Sequence, residues 1–273
     1  MDYILLYLLQ SLRLILMTHP FRYISILLVV LASSNLSNAQ LGFSHELGFI
    51  TGPVAFQSDY GERYDWDTNS GNVGIGVGLV HYINFAYRAD CDCYSADTYW
   101  NDHFKIRSEI SYHVTTLNHL GPEAEKPSLG GLQLRSMQGK ANVFEAGAHL
   151  EWFPWSIRDF QTGGKKIAPY LGLGAHYVSY RPEATSTLGP LGNPVTTFPT
   201  FIDRIDTSQG SAIAVVGDVG LRYKVGPMSD ILISSKWHYY TGSNLVDGLS
   251  PNNVNNRAND WIWWFNVGYI FYL

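Results

Sequence analysis

WIWWFNVGYIFYL, residues 261–273, carries seven aromatic side chains and no charged one. Trp261, Trp263, Phe265, Val267, Tyr269, Phe271 and Leu273 share one parity, and Ile262, Trp264, Asn266, Gly268, Ile270 and Tyr272 share the other. A period of two belongs to a strand, not a helix. One face is wholly apolar and the other mixes apolar, small and polar groups. A soluble strand buries such a face under another layer, so the rest of the chain must supply that layer or leave the face to another medium.

The same alternation recurs upstream. In HFKIRSEISYHVT (103–115), Phe104, Ile106, Ile110, Tyr112 and Val114 oppose His103, Lys105, Arg107, Glu109, Ser111 and His113. Residues 142–153, 211–224 and 230–241 follow suit, and 43–51, 72–85 and 167–180 bring the strands to eight, with 43–51 the shortest. No amphipathic helix of any length separates them, so nothing in the chain covers eight apolar faces. A bilayer does. Lipid admits a sheet only when it closes on itself, because an open edge would strand backbone N–H and C=O groups in hydrocarbon. The expected fold is all-β: an eight-stranded antiparallel transmembrane barrel, with the lipid bilayer as its first partner. Its long connections would be 52–71, 116–141, 181–210 and 242–259, facing outside. The others, 86–102, 154–166 and 225–229, would face the periplasm.

Composition agrees. Charged residues make up 15% of the 273, well below the roughly 25% of ordinary domains, and the net charge of −5 excludes a basic nucleic-acid binder. At the N-terminus, His19-Pro20-Phe21-Arg22-Tyr23 precedes the apolar run ISILLVVLA (24–32), and Ser37-Asn38-Ala39 offers small residues for cleavage before Gln40. Residues 1–39 are read as a signal peptide, with Met17 a start that would give it conventional length, and 40–273 as the barrel. The expected location is the outer membrane.

The inward parity collects Lys105, Arg107, Arg222, Lys224 and Lys236 against Glu46, Glu109, Glu145, Glu151 and Asp218. Buried charges persist only when paired, so these ten are read as an ionic core filling a narrow lumen. Gly74, Gly76 and Gly78 in GNVGIGVGL (71–79), with Gly172 and Gly174, lie on the same inward face and leave room for larger polar groups; with no helix following, the run is not a nucleotide fingerprint. His103, His113, His149, His176 and His238 share that parity and could ligate a metal or act as bases, but are read as core histidines filling hydrogen bonds. No cofactor or metal is expected. Asp65, Asp67 and Asn69 space like the start of a calcium loop that lacks its closing glutamate, and are read as solvated loop acids. Ser58, His119 and Ser186 are the loop candidates for Ser/His lipid chemistry, with no spacing that singles them out. Cys91-Asp92-Cys93 lies in the first periplasmic turn, too closely spaced to bridge easily.

ITGPVAFQSDYGERYDWDTNSGNVGIGVGLVHYINFAYRADCDCY (50–94), SIRDF (156–160) and LVDGLSPNN (245–253) resemble a family of small outer-membrane β-barrels from Bacteroidota. More distantly, the architecture is similar to the eight-strand barrel of the type IX secretion and gliding machinery. The resemblance implies location and architecture and carries no catalytic residue. Phe265, Val267, Tyr269, Phe271 and Leu273 resemble the C-terminal signal read by the barrel assembly machinery, with leucine where phenylalanine is usual. The functional expectation is a structural or interaction component of the bacterial envelope, partnered by periplasmic or surface proteins and linked to secretion or surface assembly. A barrel-embedded acyltransferase or deacylase and a narrow channel are the alternatives.

Overall fold

A computed structural model describes residues 44–61, 65–85, 99–241, 246–250 and 260–273. The leader 1–39, Cys91 and Cys93 lie outside the described residues. Eight antiparallel strands close on themselves in sequence order: β1 (Ser44–Gln57), β2 (Val73–Asn84), β3 (Phe104–Asn118), β4 (Met137–Trp152), β5 (Ile167–Ser186), β6 (Gly210–Gly226), β7 (Ser229–Thr241) and β8 (Trp261–Tyr272). Closure is made by β1 on β8, where Glu46 stands opposite Tyr272 and Gln57 opposite Trp261. The C-terminal stretch is therefore the strand that seals the barrel. Every edge is paired, which is the condition for a sheet in lipid.

All eight expected strands are present, several longer than the alternation indicated. Gly52-Pro53 reads as a turn, yet β1 continues to Gln57: Pro53 points outward, and the pairing with β8 skips it between Thr51 and Val54. β4 begins at Met137 and β5 runs to Ser186, because here polar residues occupy the outward face. Lys140 stands opposite Glu183, and Asn142 donates to Glu183 Oε1 at 3.1 Å.

Outward residues follow the apolar parity. Leu173, Leu79 and Ile75 are 66%, 62% and 59% exposed, and Leu171, Ile110, Ile213, Val215, Ile233 and Val267 continue the belt. Aromatics frame it. On β8, Trp261 and Trp263 stand at one end and Tyr269 and Phe271 at the other; Phe104 faces Trp152 at the same end as Tyr269. From Trp261 to Phe271 the strand advances roughly 34 Å at about 3.4 Å per residue. At a tilt near 45° that spans about 25 Å along the normal, the height of an outer-membrane apolar band.

The rim that holds the start of β1 and the end of β8 carries the two-residue turn Pro227-Met228 between β6 and β7 and the connection 153–166, together with the longer connection 85–103 between β2 and β3. Short helices interrupt some connections: α1 (Trp66–Asn69), α2 (Tyr99–His103), α3 (Pro122–Glu125), α4 (Leu129–Ser136) and α5 (Ile157–Gln161). At the terminal rim α5 folds inward, with Ser156 Oγ accepting from Asp159 N at 3.4 Å at its start. Ile157 and Phe160 are buried beside Phe153 and stop that end of the lumen.

Candidate functional site

Side chains of the inward parity fill the barrel in tiers. Nearest the terminal rim, Glu46 receives Lys105 Nζ and Arg222 Nη2, each at 2.7 Å, and Gln161 of α5 at 3.4 Å. Arg222 also meets Asp230 at 2.7 Å, and Tyr272 donates to the same carboxylate at 2.6 Å. The Arg222 guanidinium lies 4.9 Å from the centre of the Tyr82 ring, and Lys224 Nζ stands 4.0 Å over Tyr272.

In the next tier Arg107 is the hub. It donates to Glu151 at 2.7 Å and to Asp218, ion-pairs with Glu109 at 3.3 Å, and approaches His149 Nδ1 at 3.1 Å. Lys236 meets Glu109 at 2.5 Å and stacks over Trp264 at 4.8 Å, and Tyr170 donates to Asp218 at 3.2 Å. Lys105, Arg107, Glu151, Arg222 and Lys236 are fully shielded from solvent. Isolated charges so placed would cost several kcal/mol each; their mutual pairing is what makes the interior tenable.

The third tier is built from histidines. Glu145 accepts from His176 Nδ1 at 2.8 Å, His238 Nδ1 at 2.7 Å and Tyr240 at 2.9 Å, with His113 Nδ1 at 3.6 Å. His149 Nε2 faces His176 Nε2 at 2.6 Å. Because an Arg107 N–H points at His149 Nδ1, that nitrogen is an acceptor. His149 then donates from Nε2 to His176, which donates from Nδ1 to Glu145. Sheet register explains how rings of this size fit. His113 stands opposite Gly76, His176 opposite Gly147 and His149 opposite Gly174, and a Cβ at each glycine would fall 2.6, 2.1 and 2.7 Å from the facing ring.

The structure differs from the sequence reading in two places here. His103 ends α2 at the rim instead of lining the lumen, its Nδ1 bonded to Phe153 O at 2.6 Å and its ring stacked on Tyr99. Asp230 is a sixth inward carboxylate; its parity matches Lys236 and His238, but its place beside the β6–β7 turn hid it. The inward tyrosines Tyr170 and Tyr240, legible by the same parity, complete the hydrogen bonding.

Above the histidines, the long connections tie to one another. Asp59 N donates to Asp247 Oδ2 at 2.7 Å, Asn118 N to Asn72 Oδ1 at 2.8 Å, and Gln133 Nε2 to Pro194 O at 2.7 Å. Asp206 N reaches Gly248 O at 3.0 Å, and Ser250 N reaches Arg204 O at 2.9 Å. Tyr60, Leu117, Phe201, Val246 and Leu249 are buried under this cap. Burial beside the Asp260 and Asp59 carboxylates pushes the Asp247 carboxyl well above its ordinary range.

The loop candidates do not assemble into a catalytic pair. His119 packs between the rings of Tyr60 and Phe201, its Nε2 without a hydrogen-bond partner, and burial pushes its imidazole down to about 4. Ser186 donates to Thr196 O at 3.3 Å, and Ser58 Oγ accepts from Tyr60 N at 3.2 Å. Asp65 Oδ1 accepts from Asp67 N at 3.0 Å, so the calcium-like spacing is used to turn the chain into α1.

A closed eight-strand sheet, apolar outside and ionic inside, defines the class: a small outer-membrane β-barrel. No family model matches the chain, and no curated protein matches it. Solved structures do. Neisserial surface protein A has 13% identity over 84% of this chain and 96% of that one, with a TM-score of 0.42. Ail, the attachment invasion locus protein of Yersinia pestis, solved with the heparin analogue sucrose octasulfate, has 14% identity over 85% and 100%, with a TM-score of 0.40. A major outer membrane protein from Thermus thermophilus has 10% identity over 85% and 99%, with a TM-score of 0.42. At such scores none of them informs the site.

Proposed function

We propose that this barrel is a structural and interaction component of the bacterial envelope, a sealed post that presents its cap to a protein partner on the far side of the membrane. Short turns face the periplasm and long connections face outward in outer-membrane barrels; the two-residue β6–β7 turn lies on the opposite rim and supports a cap at the cell surface. The carrying observation is on that cap. Leu129 and Leu132, one turn apart on α4, and Val195, on the segment that Gln133 holds, are 63%, 43% and 66% exposed. Apolar side chains grouped outside the lipid belt are what a contact surface offers. Residues 1–39 would direct export and be removed, and the C-terminal residues Phe265 to Leu273 would be read by the assembly machinery. A role in secretion or surface assembly is the reading that the Bacteroidota resemblance adds.

Co-purification from detergent-solubilised outer membrane tests this. Wild type is expected to retain a stoichiometric envelope protein that the double variant Leu129→Asp, Leu132→Asp loses while still folding. Equal retention by the variant, or a deletion strain with unchanged secretion and surface protein content, would overturn it.

A further inference from the structure

The histidine tier holds more than packing requires. Glu145 is fully buried, and it is the one inward carboxylate among the described residues that no lysine or arginine ion-pairs; its partners are three imidazoles and a phenol. A single imidazolium would balance its charge. The barrel instead spends three histidines from three strands on one carboxylate, and Gly76 and Gly147 are needed to fit two of the rings.

We propose that Glu145, His176 and His238 form a binding site for a divalent transition-metal ion of the zinc class. Imidazole and carboxylate are the donor set such ions take, and two histidines with one glutamate make a three-ligand site whose fourth position is left to water. Geometry supports it. The donor atoms of Glu145, His176 and His238 all lie within 4.8 Å of one another. Around a four-coordinate ion with bonds near 2.0–2.1 Å, donors sit about 3.3 Å apart. The Nδ1 atoms of His176 and His238 lie 2.8 and 2.7 Å from Glu145 Oε2, about half an ångström short of that edge, so a small spreading of the three side chains would admit the ion. The ion would take the place of the two protons now between Glu145 and His176 and His238: the His238 proton would move to its free Nε2, leaving a neutral ligand, and the His176 proton would be released, because its Nε2 already accepts from His149.

His113 is the independent pointer. It is 1% exposed, its Nε2 has no hydrogen-bond partner, and its Nδ1 makes only a long contact to Glu145 Oε1 at 3.6 Å. Trp264 holds its ring edge-on at 4.6 Å. A buried imidazole so poorly bonded is costly, and a water on the fourth position of the bound ion would give it a partner. Tyr240, donating to Glu145 at 2.9 Å, would orient the carboxylate as an outer-shell group. The other triad within reach, Glu109, His149 and His176, is a poorer host: Lys236 and Arg107 already bond Glu109, and Arg107 also faces His149.

The lumen is sealed, so the ion must be loaded as the barrel forms. The test is to refold the full chain from urea into detergent with Zn2+ or Co2+, desalt against a chelator, and count metal per folded chain, folding being scored by heat-modifiable gel migration. About one equivalent is expected, with the visible absorption of four-coordinate Co2+. His176→Gln and His238→Gln should lose it, Tyr240→Phe should weaken retention roughly ten- to a hundredfold, and His45→Ala should keep it. The last control removes the outward histidine pair, His45 and His81, whose rings meet at 3.0 Å on the lipid-facing side. Folded wild type with no retained metal would overturn the proposal in favour of a protonated histidine only. Metal lost through His45→Ala, or kept by both lumen variants, would overturn it equally.

Discussion

Removing the Arg107 side chain asks how dry the lumen is. In Arg107→Met three carboxylates lose a cation, but unequally. Glu109 keeps Lys236 at 2.5 Å, and Asp218 keeps the Tyr170 hydroxyl at 3.2 Å. Glu151 keeps nothing, because Arg107 is its one ion-pair partner among the described residues and its Oε2 is already without a bond. The expected loss is therefore that of one orphaned buried charge, about 3–5 kcal/mol, and not three times that. Replacing Glu151 as well, in Arg107→Met with Glu151→Gln, removes the orphan and should recover roughly 2 kcal/mol of the loss. The assay is the urea midpoint of tryptophan fluorescence for the refolded protein in detergent micelles. Lys126→Met supplies a reference: its pair with Glu123 is more than half exposed on both sides, and should count for less than about 1 kcal/mol. If Arg107→Met costs no more than Lys126→Met, water reaches the charges and the sealed interior is wrong.

Other outcomes follow from the same geometry. Protein in a planar bilayer should show no large stable openings, since α5 stops one end and the charge network fills the middle; sustained conductance would contradict this. Gly76→Val should destabilise by about 1–3 kcal/mol, because its Cβ would lie 2.6 Å from His113 and 2.8 Å from Trp264, whereas Gly217→Ala, with nothing within 4 Å, should be silent; equal midpoints for the two would refute the packing account. His119 should make stability depend on pH. Burial holds the folded imidazole down at about 4, while the unfolded one titrates near 6.5. Only the unfolded chain binds a proton between those values, so the contribution is complete above pH ~6.5 and fades as pH falls towards ~4, by roughly 3 kcal/mol in all. His119→Phe should flatten that slope in urea midpoints taken at successive pH values, and an unchanged slope would assign it elsewhere.

Strand number and facing were legible because lipid imposes a long, strict alternation on each strand, as in 261–273. The alternation fades where strands leave the bilayer. Lys140, Arg181 and Glu183 sit on outward positions of β4 and β5 in water, so those extensions read as loop. The partners of the lumen charges were not legible, since pairing Arg107 with Asp218 needs the register of several strands and the closure of the sheet. The histidines illustrate the same limit: parity put four of them inside, but only register sets His113, His176 and His238 at the height of Glu145. His103 broke the rule because α2 ends before β3 begins. The cap was hidden for another reason, since its ties run largely through backbone groups that any sequence possesses.

The central claim is that hydrocarbon covers the outer face of the barrel. Nitroxide labels at single cysteines replacing Leu79, Leu173 or Ile213, in a chain with Cys91 and Cys93 changed to serine, measure it directly by collision with oxygen and with a nickel chelate after reconstitution into vesicles. The account predicts high oxygen and low nickel accessibility at all three, and the reverse at a label on the exposed cap residue Leu129. Nickel accessibility at Leu79, Leu173 and Ile213 equal to that at Leu129 would show a water-covered barrel and contradict it.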